Sequence, residues 1–254
     1  MNKAGAIIQA RMGASRLPGK VMIEILGKPV LGYVIERVKR AKSLGDVVVA
    51  TTVNEADLEI ALAAERLGAK VFRGSEDDVL DRYYCAAKEY GMKDIVRITA
   101  DCPLIDPKVI DGAVEHYFNA KSDYCSNSVE RTFPNGEDVE VFNFGALERA
   151  RKEARLISER EHVTPYIWKN PGMFRLTAFK NKEDLSEKRW TVDREEDLRF
   201  IRIVLEALYP VNPYFHMEDV LDFLRRNPHL EDINKGIHHR EGYLKSLRED
   251  KIVK

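Results

Sequence analysis

Three cations separated by small residues stand near the N-terminus: Arg11, Arg16 and Lys20, within Ala10-Arg11-Met12-Gly13-Ala14-Ser15-Arg16-Leu17-Pro18-Gly19-Lys20. Two glycines and a proline make this stretch a loop, and its small residues let backbone N–H groups approach an anion. Cations so crowded repel one another unless a polyanion arrives; a triphosphate would supply it. The preceding Ala6-Ile7-Ile8-Gln9 reads as a buried strand. The loop therefore leaves the carboxyl end of a strand, where open α/β sheets bind ligands. It is not a P-loop, because Gly13 to Gly19 is one residue too long and Val21 replaces the magnesium-holding Ser or Thr. It also lacks the G-x-G-x-x-G fingerprint. The local residues leave one alternative open, a solvated basic loop after an edge strand.

Transfer of a phosphoryl-type group needs positioned reactants and an offset for negative charge, and magnesium prefers carboxylate oxygen. Asp101 stands just beyond the apolar run Ile95-Val96-Arg97-Ile98-Thr99, at a strand's carboxyl end; alternatively it only caps the Pro103 turn. Asp193, before Arg194-Glu195-Glu196-Asp197-Leu198, reads equally as the N-cap of the helix carrying Leu198, a role that would engage its oxygen. The trio Glu76-Asp77-Asp78 is read as helix first-turn acids, which the helix dipole favours without a metal. Cys102 is not read as a nucleophile, since nothing adjacent would lower its pKa.

The stretch from Ile8-Gln9-Ala10-Arg11 through Arg16-Leu17-Pro18-Gly19-Lys20 resembles the N-terminal signature of the sugar-acid cytidylyltransferases. These enzymes make CMP-activated 3-deoxy-manno-octulosonate and CMP-sialic acids. Over nearly the whole chain the resemblance is strongest to the branch named after spore-coat polysaccharide biosynthesis protein F. It implies a GT-A-like fold and magnesium-dependent transfer of CMP from CTP to a sugar acid or related sugar, with release of pyrophosphate, in surface or spore-coat polysaccharide biosynthesis. By the same resemblance Ala10, Arg11, Gly13, Ser15, Arg16 and Lys20 bind the nucleotide, with Arg11, Lys20 and Asp101 as the catalytic set. Arg73-Gly74-Ser75 resembles the family segment near the nucleobase, which adds Arg73 and Ser75. Thr99-Ala100-Asp101-Cys102-Pro103-Leu104-Ile105 resembles the segment whose aspartate binds metal, although related enzymes often carry Glu where Cys102 stands. Arg189–Leu198 resembles the late motif whose aspartate completes the metal site, here Asp193. Related enzymes are commonly homodimers.

Acceptor candidates are less sharply marked. Glu137, Asp138 and Glu140 surround a turn and an alternating strand, suited to hydroxyl contacts or acceptor deprotonation. Glu161-His162-Val163-Thr164-Pro165-Tyr166 matches a stretch typical of the spore-coat branch. Its His162 could contact the acceptor or act as a base, or be structural like most helix-borne histidines. Asn127 could reach the sugar or satisfy a turn. Two other readings compete with the transferase. A glycosyltransferase using a nucleotide-sugar donor usually needs Asp-x-Asp, whereas Asp101 has Ala100 and Cys102 beside it. A non-catalytic nucleotide-binding subunit would keep the same cations and aspartates without turnover.

The elements that must position these residues alternate. The chain has 254 residues, enough for one large domain, and a net charge of −1, which implies no broad basic surface for nucleic acid. No apolar run approaches membrane-spanning length, and three cysteines without metal-ligand spacing suggest a reduced, cytoplasmic protein. Strand and helix alternate four times up to about residue 120, which predicts a mainly parallel α/β sheet with helices on both faces. Residues 1–120 are expected to form the nucleotide-binding half. In 121–230, Val139–Phe142 and Phe174–Ala178 alternate, so strands with one wetter face are expected in an acceptor-binding and dimer-forming half. Helices are expected around Ala146–Ala154 and Arg160–Trp168, with two more on Leu198–Leu208 and Met217–Leu224. Residues 231–254 read as a polar tail.

Overall fold

The computed structural model describes residues 3–237 and 241–252. Of the expected tail, residues 238–240 and 253–254 lie outside the described residues. In the first half β1 (Ala4–Gln9), β4 (Leu44–Thr52), β5 (Lys70–Gly74) and β6 (Asp94–Thr99) are all parallel. Between them run α1 (Val30–Lys39), α2 (Leu58–Arg66) and α3 (Val79–Glu89), and α4 (Pro107–Ala120) follows β6. A two-stranded ribbon, β2 (Glu24–Ile25) with β3 (Lys28–Pro29), links the N-terminal loop to α1. The second half adds β7 (Tyr124–Ser126), β8 (Glu140–Asn143) and β9 (Leu176–Ala178), completing a seven-stranded sheet of order β5-β4-β1-β6-β8-β7-β9. Only β8 runs against its neighbours.

Period-two alternation assigns the two sheet faces. Ala6, Ile8, Val49, Val96 and Ile98 join one core with α1, α4, α8 (Glu195–Leu208) and α9 (Met217–Arg226). Ile7, Val48, Ala50 and Ile95 join the other with α3 and α5 (Phe144–Glu153). Because both faces are covered, the central strands read as continuous apolar runs. The apolar stripes Val30, Leu31, Val34 and Val38 of α1, Val79, Leu80, Tyr83 and Ala87 of α3, and Val109, Ile110, Ala113, Val114 and Tyr117 of α4 are buried throughout, and Asp106 caps α4 ahead of Pro107.

Three local expectations change. The wetter face expected for β8 does not exist: Val139, Val141 and Phe142 are fully buried and Glu140 is 5% exposed. The helix expected over 160–168 is two, α6 (Ile157–His162) and α7 (Pro165–Trp168), separated by Val163 at φ 70°. With ψ −55° and the Thr164 N–H bonded to the His162 carbonyl at 2.8 Å this is a strained γ-turn, held at a β-branched residue only by its surroundings, here complete burial of Val163. The polar tail carries α10 (Glu241–Arg248), which packs on α6. Behind it, Ser158 donates from its backbone N–H and its hydroxyl to Asp250, at 3.0 and 2.7 Å, and Leu156 bridges Ile252. No helix among the described residues is long and apolar enough to cross a membrane.

Candidate active site

A cleft of about 770 Å³ opens over the carboxyl ends of β1 and β6 and is closed by α6, the 190–193 segment and α10. Its position is the one α/β sheets use for ligands. The cationic loop forms one wall and is fixed at its base. The Met12 N–H donates to the Asp57 carboxylate at 2.7 Å, and Ala14 and Gly19 N–H groups close onto the Met12 carbonyl at 2.8 and 2.9 Å. Gly19 takes φ 70° to make the turn that aims Lys20 inward, a conformation glycine adopts without a Cβ penalty. Asp57, buried and also bonded by the Thr52 hydroxyl, is therefore the loop's anchor. Its sequence position marks it only as an acid at a helix start.

Asp101 and Asp193 meet here although 92 positions separate them. The Val192 N–H donates to the Asp101 carbonyl at 2.8 Å and the Thr191 hydroxyl at 3.2 Å, stitching the late segment to the end of β6. On its other side that segment is gripped by the 132–138 loop, through Asn135 N–H to Lys188 O (2.9 Å) and Trp190 N–H to Asn135 O (2.6 Å). Gly136 is required there: at φ 114°, a Cβ would lie 2.6 Å from the Trp190 carbonyl carbon.

The ambiguity over Asp193 resolves in favour of a free carboxylate. Asp197 accepts the Asp193 and Arg194 N–H groups at the start of α8, at 3.2 and 3.1 Å, and is itself clamped by Arg189. Asp193 thus points into the cleft, where Lys20 Nζ sits 2.5 Å from Asp101 and 2.6 Å from Asp193, with Arg16 at 2.7 Å from Asp193. Burial raises the Asp193 pKa, but Lys20, Arg16 and Arg189 outweigh it and hold the group at about 2. Burial likewise opposes the Lys20 charge, and the two aspartates overcome it and raise its pKa. The crowded cations are therefore relieved inside the protein. Arg16 and Lys20 have carboxylate partners, whereas Arg11 forms no ion pair among the described residues.

Two aspartates converging on one cation fit magnesium, a small hard ion that takes one or two carboxylates and fills its shell with phosphate oxygens and water. Among the described residues no group of three or more His, Cys, Asp or Glu could hold a metal, so phosphate would have to complete the shell. Cys102 is buried with its thiol pKa pushed well up, first by burial and then by Asp101, so it stays protonated.

Ala10, Arg11, Ser15, Arg16, Lys20, Asp101, Asp138, Glu140, His162 and Asp193 all line the cleft. Five other candidates do not. Gly13 faces Glu76, and Arg73 turns away to the Thr52 and Asn54 carbonyls at 3.0 and 2.8 Å. The Ser75 hydroxyl accepts the Asp78 N–H at 3.1 Å, while Asp78 itself caps α3. Asn127 is wholly buried, with its amide spanning Glu137 O (2.6 Å) and Val139 N–H (2.8 Å). Glu137 is also wholly buried and accepts the Asp106 N–H at 2.7 Å; burial and then Asp106 push its pKa well up. Neither side chain lines the cleft: the Asn127 amide and one Glu137 carboxylate oxygen satisfy buried backbone, while Glu137 Oε1 has no partner among the described residues.

The cleft residues that remain are mostly engaged. Asp138 forms a bidentate pair with Arg131, and Glu140 pairs with Arg97 while accepting the Tyr124 and Thr164 hydroxyls at 2.6 and 2.5 Å. His162 Nε2 lies 2.9 Å from the Ser246 hydroxyl of α10, which in turn donates to Glu161 at 2.7 Å. Burial lowers the His162 pKa to about 4, against the opposing Glu161 charge. At neutral pH it is an uncharged anchor for α10.

Residues 5–218 match the cytidylyltransferase family model. The chain belongs to the cytidylyltransferase family. It is a nucleotidyltransferase by that membership. The chain is 32% identical to spore coat polysaccharide biosynthesis protein SpsF of Bacillus subtilis, covering 90% of this chain and 96% of that one. It is 33% identical to an 8-amino-3,8-dideoxy-manno-octulosonate cytidylyltransferase of Shewanella sp. over 68% of this chain and 74% of the other. Among solved structures, a cytidylyltransferase from Leptospira borgpetersenii superposes with TM-score 0.88 at 36% identity, covering 94% of this chain and all of that one.

Proposed function

We propose that this cytidylyltransferase moves CMP from CTP onto a sugar acid, with magnesium as cofactor, for polysaccharide assembly. The reading rests on one observation above all. The Lys20 ammonium lies between the Asp101 and Asp193 carboxylates, at the end of a loop whose Arg11 and Arg16 also face the cleft. Such a knot can exchange partners. When a triphosphate enters, Arg11, Arg16 and Lys20 turn to its oxygens, and the carboxylates they leave become available. Asp101 and Asp193 would hold magnesium, which offsets charge on the phosphates when bound.

The protein's own work is then positioning and charge stabilisation. The anchored loop holds the α-phosphate for in-line attack by an acceptor hydroxyl, while Arg11, Arg16 and Lys20 stabilise the departing pyrophosphate. The family supports the cytidine preference, and relatives whose names specify octulosonate support the sugar-acid acceptor. A GT-A-like arrangement is part of the same reading. The test is pyrophosphate release with magnesium, across CTP, UTP, ATP and GTP, each offered with octulosonic acids, nonulosonic acids and neutral sugars. Release with CTP and a sugar acid supports the reading. Release with a different nucleotide or only with neutral sugars would replace it, and tight CTP binding without release from any pair would favour a binding subunit.

A further inference from the structure

We infer that α10 is the acceptor-selecting wall of the cleft, with the Tyr243 hydroxyl and the Lys245 ammonium as its contacts to a hydroxylated, anionic sugar. The inference rests on the transferase reading, which names no residue of this segment. Three observations carry it. First, Tyr243, Lys245 and Ser246 line the cleft, and the Arg16 guanidinium lies 3.8 Å from where a Cβ on Gly242 would stand. The helix therefore begins beside the phosphate loop, and one turn on its Ser246 is held against His162 of α6.

Second, the Tyr243 hydroxyl is shut from solvent and has no hydrogen-bond partner among the described residues, while its ring is fixed edge-on to His162 (5.1 Å) and Trp168 (5.9 Å). A buried hydroxyl without a partner is destabilising unless something arrives to bond it. A bound sugar hydroxyl would. The Gln9 side-chain oxygen, also lining the cleft, is buried and without a partner among the described residues as well, so unmet polar groups lie on both the floor and the wall.

Third, the cleft's other cations are divided by use. Arg16 and Lys20 pair with Asp193, Arg97 with Glu140 and Arg131 with Asp138. Lys245, like Arg11, Arg82 and Lys251, forms no ion pair among the described residues, and Glu249, just past the end of the helix, is not ion-paired with it. An acceptor carboxylate would meet this ammonium without displacing an internal partner. The helix is held in place independently of ligand, through His162 to Ser246 and through Arg194 to Glu241 at 2.8 Å. Selection by a docked helix end of this kind leaves CTP binding untouched.

The experiment measures equilibrium binding of 3-deoxy-manno-octulosonate, N-acetylneuraminate and neutral methyl mannoside to the full chain saturated with CTP, by saturation-transfer NMR and calorimetry. Lys245→Ala is expected to weaken at least one acid about tenfold, and Tyr243→Phe several-fold. CTP should bind both variants and the parent alike, and the neutral sugar should bind Lys245→Ala and the parent alike. Equal binding of the acids to parent and variants, or no acid binding to the parent, would overturn the assignment. Failure of the transferase reading is a separate result: no pyrophosphate release, or no CTP binding, whatever the acids do.

Discussion

Replacing Lys20 by methionine separates a structural ion pair from a metal site, because the two assignments demand opposite responses to magnesium. In the parent, one ammonium sits 2.5 and 2.6 Å from two carboxylates, which puts those oxygens within about 5 Å of each other. Removing it leaves two like charges interacting by about 3 kcal/mol at an effective dielectric near 20. The Asp193 pKa, held at about 2 against an ordinary 3.8, gives a second measure of the knot, about 2 kcal/mol. Arg16 and Arg189 remain to hold Asp193, so Lys20→Met should lose about 2–3 kcal/mol at pH 7, or about 5–10 °C in Tm for a chain of this size. A divalent cation would then find both carboxylates vacated. Magnesium without nucleotide should recover most of the loss in the variant, yet shift the parent by no more than about 2 °C, because there it must first displace the ammonium. Magnesium affinity of the variant, by calorimetry, should exceed the parent's about tenfold or more, while CTP turnover is lost with the cation that held its phosphates. Equal magnesium responses in the two proteins would refute the metal assignment for Asp101 and Asp193.

Three further outcomes follow from the same geometry. Asp101→Asn should abolish magnesium-dependent pyrophosphate release with Tm kept within about 3 °C, and normal turnover would remove Asp101 from the mechanism. Asp57→Ala leaves the Met12 N–H without its acceptor, so the loop loses its anchor; stability should fall by about 1–3 kcal/mol and the KM for CTP should rise about tenfold. An unchanged KM would show that the loop holds its shape without Asp57. His162 titrates at about 4 in the folded chain against an ordinary 6.5, so the folded form prefers it neutral. Its contribution is whole above pH 6.5 and is lost as pH falls from 6.5 to 4, by up to about 3 kcal/mol. Hydrogen exchange of α10 amides, corrected for intrinsic rates, should therefore quicken between pH 7 and pH 5. His162→Gln should flatten that dependence, and a parent protein with no such dependence would sink the anchor role.

What the sequence discloses about this site depends on whether a residue's neighbours in sequence are also its neighbours in space. The loop from Ala10 to Lys20 satisfies that condition: strand, glycines and cations are contiguous, and the structure puts Arg11, Arg16 and Lys20 in one cleft. The parallel sheet is legible for the same reason, since each strand–helix pair carries its own apolar period. Asp193 is partly legible. Its motif stands out, but whether it caps a helix turns on Asp197 taking the two N–H groups, a choice between acids a few residues apart that period and propensity do not decide.

Asn127 and Glu137 mislead because a polar residue beside an apolar strand looks the same whether it faces a ligand or satisfies a buried backbone. Only the tertiary closure of the 132–138 loop distinguishes the two cases, and it engages the Asn127 amide and one oxygen of Glu137 with buried backbone. The C-terminal segment misleads in the opposite direction. None of the residues of α10 is fully buried, and the surface it packs against is the mouth of a polar cleft rather than an apolar core. A helix that docks through Ser246, Tyr243 and Glu241 leaves its two leucines, Leu244 and Leu247, exposed, so no buried apolar stripe announces it. The trait that hides it from a hydrophobic reading, polar groups turned toward the protein, is the trait a helix needs if it is to face a hydroxylated, charged ligand.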